Sequence, residues 1–203
     1  MKKIFSLLFF SMFLSTFAHA DSADLRKIEN YLNNLKTLKS DFVQMSSNGA
    51  TAEGKIYIAK PSKIRMEYTA PEKLLIVGNG DYIIYNDLEL DQITNIDYDD
   101  IPATVILSNK IKIDGENLKV TDFYKDNGQT SITVEMPKNP AVKPITLIFE
   151  NNPFQLKQWK VIDQQNIEVT VSLFNEETDK DLASDLFKFE RQNSTSGAKS
   201  KRK

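Results

Sequence analysis

Between Asp21 and Leu38 the apolar residues Leu25, Ile28, Leu32 and Leu35 recur at intervals of three and four with charged residues between them. That spacing places them on one face of an amphipathic helix, and Asp24 or Ser22 can cap its first turn. Beyond the helix the period falls to two. Stretches rich in Ile, Val, Tyr, Phe and Thr alternate with polar residues and are punctuated by Asn48-Gly49, Asn79-Gly80, Asp114-Gly115 and Asn127-Gly128, the chemistry of tight hairpin turns. The pattern predicts antiparallel strands over Asp41–Met45, Gly54–Ala59, Ile64–Tyr68, Leu74–Val77, Tyr82–Asn86, Glu89–Ile93, Lys110–Ile113, Leu118–Tyr124, Ser131–Met136, Ile145–Glu150, Leu156–Ile162, Ile167–Phe174 and Leu186–Glu190.

A mainly β protein with a few helices follows, of the α+β class. A long meander of short strands has apolar faces to cover, so it closes into a barrel or curls around whatever fills it. Two segments, 99–108 and 178–184, carry no strand pattern. The first holds Ile101, Pro102, Val105, Ile106 and Leu107, too apolar for a surface loop, and is expected to pack inside.

The N-terminus alters the domain reading. Lys2 and Lys3 precede an apolar run from Ile4 to Phe17 that ends at Ala18-His19-Ala20. An apolar run of about 14 residues is short of the roughly 20 that span a bilayer, and with small residues at its end it reads as a signal peptide over 1–20, cleaved after Ala20. An exported domain over 21–190 and a disordered basic tail over 191–203 are the expected remainder. No cysteine follows the cleavage position, so neither a disulfide nor a thiol-linked lipid anchor is available. Without Lys2 and Lys3 the chain carries 24 basic and 28 acidic residues, and without Lys199, Lys201, Arg202 and Lys203 as well it carries 20 against 28. An acidic body argues against a nucleic-acid groove, which needs a basic stripe.

The single histidine, His19, falls in the leader, so the exported chain has no imidazole and no thiol. Ser-His-Asp and Cys-His machinery and the usual zinc sites are thereby excluded, and no cofactor or metal is expected. Carboxylates remain. Asp87, Glu89 and Asp91 alternate and read as a solvated strand edge, with Asn86, Leu88 and Leu90 facing the other way. Asp97, Asp99 and Asp100 lack the glycine and terminal glutamate of a calcium loop and read as a helix start or turn. Neither group supports an enzyme. More suggestive is the apolar excess: Leu74, Leu75, Ile76 and Val77 are apolar on both faces. Composition alone does not choose between a strand buried between layers and the wall of a lipid cavity.

The run Ile58-Ala59-Lys60-Pro61-Ser62-Lys63-Ile64-Arg65-Met66-Glu67-Tyr68-Thr69-Ala70-Pro71, followed by Leu74-Leu75-Ile76-Val77 and Tyr85-Asn86, resembles the outer-membrane lipoprotein carrier family, LolA. Asp41-Phe42-Val43-Gln44 is similar to the family's F-x-Q strand, Ile101-Pro102-Ala103-Thr104-Val105-Ile106-Leu107 to its P-x-x-x-L lid segment, and Phe187-Lys188-Phe189 to its last strand. The resemblance spans Leu25 to Glu190. It implies an unclosed antiparallel β-barrel of about eleven strands with a helical lid, a periplasmic location, and an apolar interior for the acyl chains of lipoproteins. Each CH₂ moved into water costs about 0.8 kcal/mol, so three chains of roughly 15 carbons would cost about 35 kcal/mol unshielded.

Taken with the alternation, the resemblance assigns the acyl lining to Ile28, Leu32, Leu35, Ile56, Ile58, Ile64, Met66, Tyr68, Ile76, Ile101, Val105 and Ile106. It also implies a lid latch. Family members often carry arginine where Lys60 stands here, and a lysine cannot make arginine's planar fork, so the latch falls to Lys60 or Arg65. Implied partners are acylated lipoproteins, an inner-membrane ABC transporter that releases them and an outer-membrane acceptor, with the carrier a monomer. A lipid-binding or envelope-stress sensor of the same open-barrel type would use the same cavity, and a carboxylate-dependent enzyme is the remaining alternative.

Overall fold

In the computed structural model, which describes residues 20–191, the three-and-four spacing becomes α1 (Ser22–Asn34). Its cap is Asp21, one residue ahead of Ser22 and three ahead of Asp24, with the carboxylate accepting from the Ala23 N–H at 3.3 Å. The helix stops short of Leu38 because Thr37 and Leu38 already pair with Ala59 and Ile58 as strand. Apart from Ala20 and Arg191, the expected signal peptide and basic tail lie outside the described residues.

Eleven strands follow among the described residues: β1 (Thr37–Ser46), β2 (Thr51–Ala59), β3 (Lys63–Tyr68), β4 (Leu74–Asn79), β5 (Ile83–Asp87), β6 (Gln92–Ile96), β7 (Lys119–Lys125), β8 (Gln129–Glu135), β9 (Ile145–Asn151), β10 (Phe154–Ile162) and β11 (Glu168–Thr178). They form one antiparallel sheet in the order β6-β5-β4-β3-β2-β1-β11-β10-β9-β8-β7. Two meanders are therefore joined where β11 returns to pair with β1, and β6 and β7 are the two ends of an unclosed sheet.

Three expectations change. Glu89–Ile93 is displaced: Asp87 Oδ1 accepts from the Glu89 and Leu90 N–H groups, both at 2.9 Å, so Asp87, Glu89 and Asp91 shape a hairpin turn and do not share a strand face. Lys110–Ile113 is not a strand. Its backbone is bonded by side chains of α1, with Asn33 both donating to the Ile111 carbonyl at 2.9 Å and accepting from the Ile111 N–H at 2.7 Å. Glu29 accepts from the Ile113 N–H at 2.7 Å and pairs with Lys112 at 3.1 Å. Asp114-Gly115 accordingly joins no hairpin. Leu186–Glu190 is a 3₁₀ turn (Ser184–Phe187) and irregular chain lying across β3 and β4.

α1 fills the end of the concave face over β9 and β10. Tyr31 meets Phe149 and Phe154 edge-on at 5.7 and 5.8 Å, and those two rings stack at 5.1 Å. A continuous apolar core runs from this helix beneath β1, β2 and β8–β11, and it is this core that fixes the walls of the cavity beside it.

Candidate ligand cavity

Strand alternation carries Ile64, Met66 and Tyr68 of β3, Ile76 of β4, and Ile83 and Tyr85 of β5 to the concave face. The ladder aligns Met66, Ile76 and Tyr85 in one row across the sheet. Facing them are Trp159 and Val161 of β10 and Val169 and Val171 of β11. Gln44 and Ile96 complete the wall, and Ile101, Ala103, Thr104 and Leu107 close it from above. The cavity is about 250 Å³ and partly open to solvent. Five of the residues expected to line it do so: Ile64, Met66, Tyr68, Ile76 and Ile101. Ile28, Leu32, Leu35, Ile56, Ile58, Val105 and Ile106 are not among its lining residues; they are packed in the core that Ile64 and Met66 also join. Gln44, Tyr85, Trp159 and the β11 valines were not anticipated; each sits on the inward parity of its strand, but parity acquires a direction only once the sheet's curvature is known.

The roof is a flap of two 3₁₀ turns, Tyr98–Asp100 and Pro102–Leu107, which packs on β10. Pro102 opens the second turn, where its missing N–H costs nothing. The flap is tied at three points. The Ser62 N–H donates to the Leu107 carbonyl at 3.0 Å, the Tyr98 hydroxyl donates to the Ser62 carbonyl and accepts from the Gly80 N–H at 3.3 Å, and Asn139 Nδ2 donates to the Asp99 carbonyl at 2.8 Å. The Tyr98 ring reaches in this far because Gly78 has no side chain; a β-carbon there would collide with the hydroxyl.

The two residues expected to latch the lid do other work in this conformation. Lys60 Nζ donates to the Leu32 carbonyl at 2.6 Å, capping the C-terminal end of α1, where a cation also meets the negative pole of the helix. Burial lowers the Lys60 pKa. Arg65 lies on the opposite face of β3, bonded to Glu67 at 2.6 Å and to the Leu186 carbonyl at 3.2 Å. It holds the C-terminal segment against the outside of the sheet. That segment explains why β4 is apolar on both faces: Ile76 faces the cavity, and Val77, fully buried, faces outward on strands that the segment crosses.

Inside the cavity the polar groups are few. The Tyr68 hydroxyl donates to Gln44 Oε1 at 2.8 Å, and burial, then the neighbouring Tyr85 and Glu72, keeps it protonated well above the ordinary phenol range. Thr104 Oγ1 bonds the Tyr98 and Ile101 carbonyls at 2.9 and 2.6 Å within the flap itself. No group of three or more His, Cys, Asp or Glu able to hold a metal occurs among the described residues. An open antiparallel sheet curled around an apolar cavity under a short helical flap defines a container for apolar ligands.

The particular container is given by sequence. The family model of the outer membrane lipoprotein carrier protein LolA matches residues 33–190, and the chain belongs to that family. It is 28% identical over 191 residues to an uncharacterized protein of Rickettsia prowazekii, covering 93% of this chain and 88% of that one. It is 27% identical over 164 residues to the outer-membrane lipoprotein carrier protein of Pseudomonas aeruginosa, covering 76% and 75%. Among solved structures, a DUF1329 family protein from Desulfovibrio piger superimposes with a TM-score of 0.52 at 9% identity, over 81% of this chain and 95% of that one. That likeness is one of fold.

Proposed function

We propose that the chain is a periplasmic, non-enzymatic carrier that takes acylated lipoproteins released by an inner-membrane ABC transporter, shields their acyl chains and hands them to an outer-membrane acceptor, working as a monomer. The observation that carries this reading is the apolar cavity under a flap tied by three sets of hydrogen bonds and by the buried side chains of Val105, Ile106 and Leu107. Pockets that take drug-sized ligands run to about 300–1,000 Å³, so the 250 Å³ here is too small for several acyl chains, and loading requires the flap over residues 98–107 to swing out. The anchors of the adjoining chain, Asn33 on Ile111 and Glu29 on Ile113, leave the hinge at 108–110. Acyl chains would then lie against Ile64, Met66, Ile76 and Trp159 and extend into the space the flap vacates.

The test uses an environment-sensitive hydrophobic dye. The purified protein should bind it, an acylated lipoprotein should displace it, and the same lipoprotein without acyl chains should not. Equal displacement by both forms contradicts the proposal. Transfer of bound lipoprotein to outer-membrane vesicles separates a carrier from a sensor, which would retain its ligand.

A further inference from the structure

The apolar cavity has one polar corner, in which two side chains carry donors without a partner among the described residues. Gln44 stands on β1 beside Val171 of β11, and its carbonyl is taken by the Tyr68 hydroxyl at 2.8 Å. This fixes the amide: with the oxygen toward Tyr68, the two N–H donors of Nε2 have no protein partner among the described residues, and Gln44 lines the cavity. The opposite assignment would leave the Tyr68 proton without an acceptor. Tyr85, next to Tyr68 in the same wall, likewise has a hydroxyl with no protein partner among the described residues. The cavity therefore presents donors in an otherwise hydrocarbon surface, and no Lys or Arg is among its lining residues.

That combination selects a ligand chemistry. Both groups are open to water, and a ligand that displaced that water without offering an acceptor would forfeit roughly 1–3 kcal/mol for each donor. A carboxylate or phosphate would be an acceptor, but in this cavity it would be an anion without a countercharge. A neutral carbonyl meets both conditions. We propose that Gln44, held in register by Tyr68, and Tyr85 form a hydrogen-bonding clamp for the ester carbonyls at the glyceryl end of an acylated cargo, so that the cavity recognises neutral acyl esters over bare hydrocarbon and over free fatty acids. The clamp rests on the carrier reading and adds to it an orientation: carbonyls at the Gln44 corner, chain ends toward the flap.

The experiment compares dioctanoylglycerol with the matching dioctyl ether, which keeps the chains and lacks the carbonyls, and with octanoate. Trp159, the only tryptophan in the chain, lines the cavity, so its fluorescence reports occupancy directly. The wild type should bind the ester roughly five- to tenfold more tightly than the ether, the yield of one or two hydrogen bonds, and octanoate more weakly than either at neutral pH. Tyr85→Phe should reduce that preference, and Gln44→Leu combined with Tyr68→Phe, which removes both partners of the internal bond together, should abolish it, with folding checked by an unchanged circular dichroism spectrum and a cooperative thermal transition. Equal ester and ether affinities in the wild type, or an undiminished preference in both variants, would overturn the clamp. Failure of every probe to bind would instead overturn the acyl cavity itself. A triacylated lipopeptide should compete with dioctanoylglycerol better than phosphatidylglycerol does; the reverse order would overturn lipoprotein as the source of the ester.

Discussion

The phenol oxygen of Tyr98 stands over the α-carbon of Gly78, in space that a methyl group at position 78 would fill. The flap is thus seated on the sheet by a side chain from one and an absence of side chain on the other. Tyr98→Phe removes the bonds to Ser62 and Gly80 and keeps the ring. At about 1 kcal/mol net for the two bonds, the open population should rise roughly fivefold. Gly78→Ala ejects the ring and should open the flap further. Dye association rates and amide exchange across residues 98–107 measure both; unchanged rates in both variants would mean the flap is held elsewhere.

The two faces of β3 give opposite expectations. Ile64 lines the cavity, and a glutamate there sets an unpaired charge against acyl chains, so hydrophobic-dye affinity should fall at least tenfold, with a smaller loss of stability because the cavity can admit water. Glu67→Lys disturbs only the outward face, where Glu67 pairs with Arg65 and stands opposite Lys55, and should leave dye affinity within about twofold. Ile28→Glu, in the sealed core, should unfold the protein. Dye titration and thermal midpoints for the three variants test the assignment, which is inverted if Glu67→Lys alone abolishes binding.

Asn33 serves Ile111 as a neighbouring strand would, satisfying its N–H and its carbonyl together. Asn33→Ala strands both groups in a buried position, at a cost of about 1–3 kcal/mol. Urea unfolding should show the midpoint lowered with an unchanged slope, and an unaltered midpoint would show that water replaces the amide at no cost.

These residues also mark where the sequence stopped being readable. The helix and ten of its strands follow from period and turn chemistry, because each buries one face against a common core. Lys110–Ile113 alternates as a strand does, with Ile111 and Ile113 both buried. Its hydrogen bonds go to Asn33 and Glu29, about 80 positions upstream, and no local pattern records that. The cavity was partly legible for the same reason. Ile64, Met66, Tyr68 and Ile76 could be placed by alternation within one hairpin series, whereas Trp159, Val169 and Val171 reach the cavity only because β11 pairs with β1. The apolar residues of α1 were read as lining because periodicity identifies a buried face without saying what lies against it.

The pH profile should have a flat centre. No histidine occurs among the described residues, so stability and dye affinity should hold constant from about pH 5.5 to 8.5. On the acid side, Asp126 is held below the usual carboxylate range by the Gln129 and Gly128 N–H groups and by Tyr124, and Asp41 by Lys55 and Asn175. Depressed folded values give stability that is present above pH 4 and lost as pH falls through them. On the alkaline side, burial raises Tyr68 and Tyr31. The unfolded chain then releases protons first, and stability falls as pH rises past about 10. Asp126→Asn should flatten the acid limb and Tyr68→Phe the alkaline one, as read by thermal midpoints across pH; a transition centred near pH 6.5 would contradict the scheme.

Because β6 and β7 end the sheet without bonding to each other, the wall has two lips instead of a seam. A closed barrel has its radius set by strand number and stagger, and enlarging it means breaking a ladder. Here a small change of twist at each strand pair accumulates toward the lips while every inter-strand bond is kept. The girth of the container is therefore not fixed by closure, as it is in a barrel whose last strand bonds to its first.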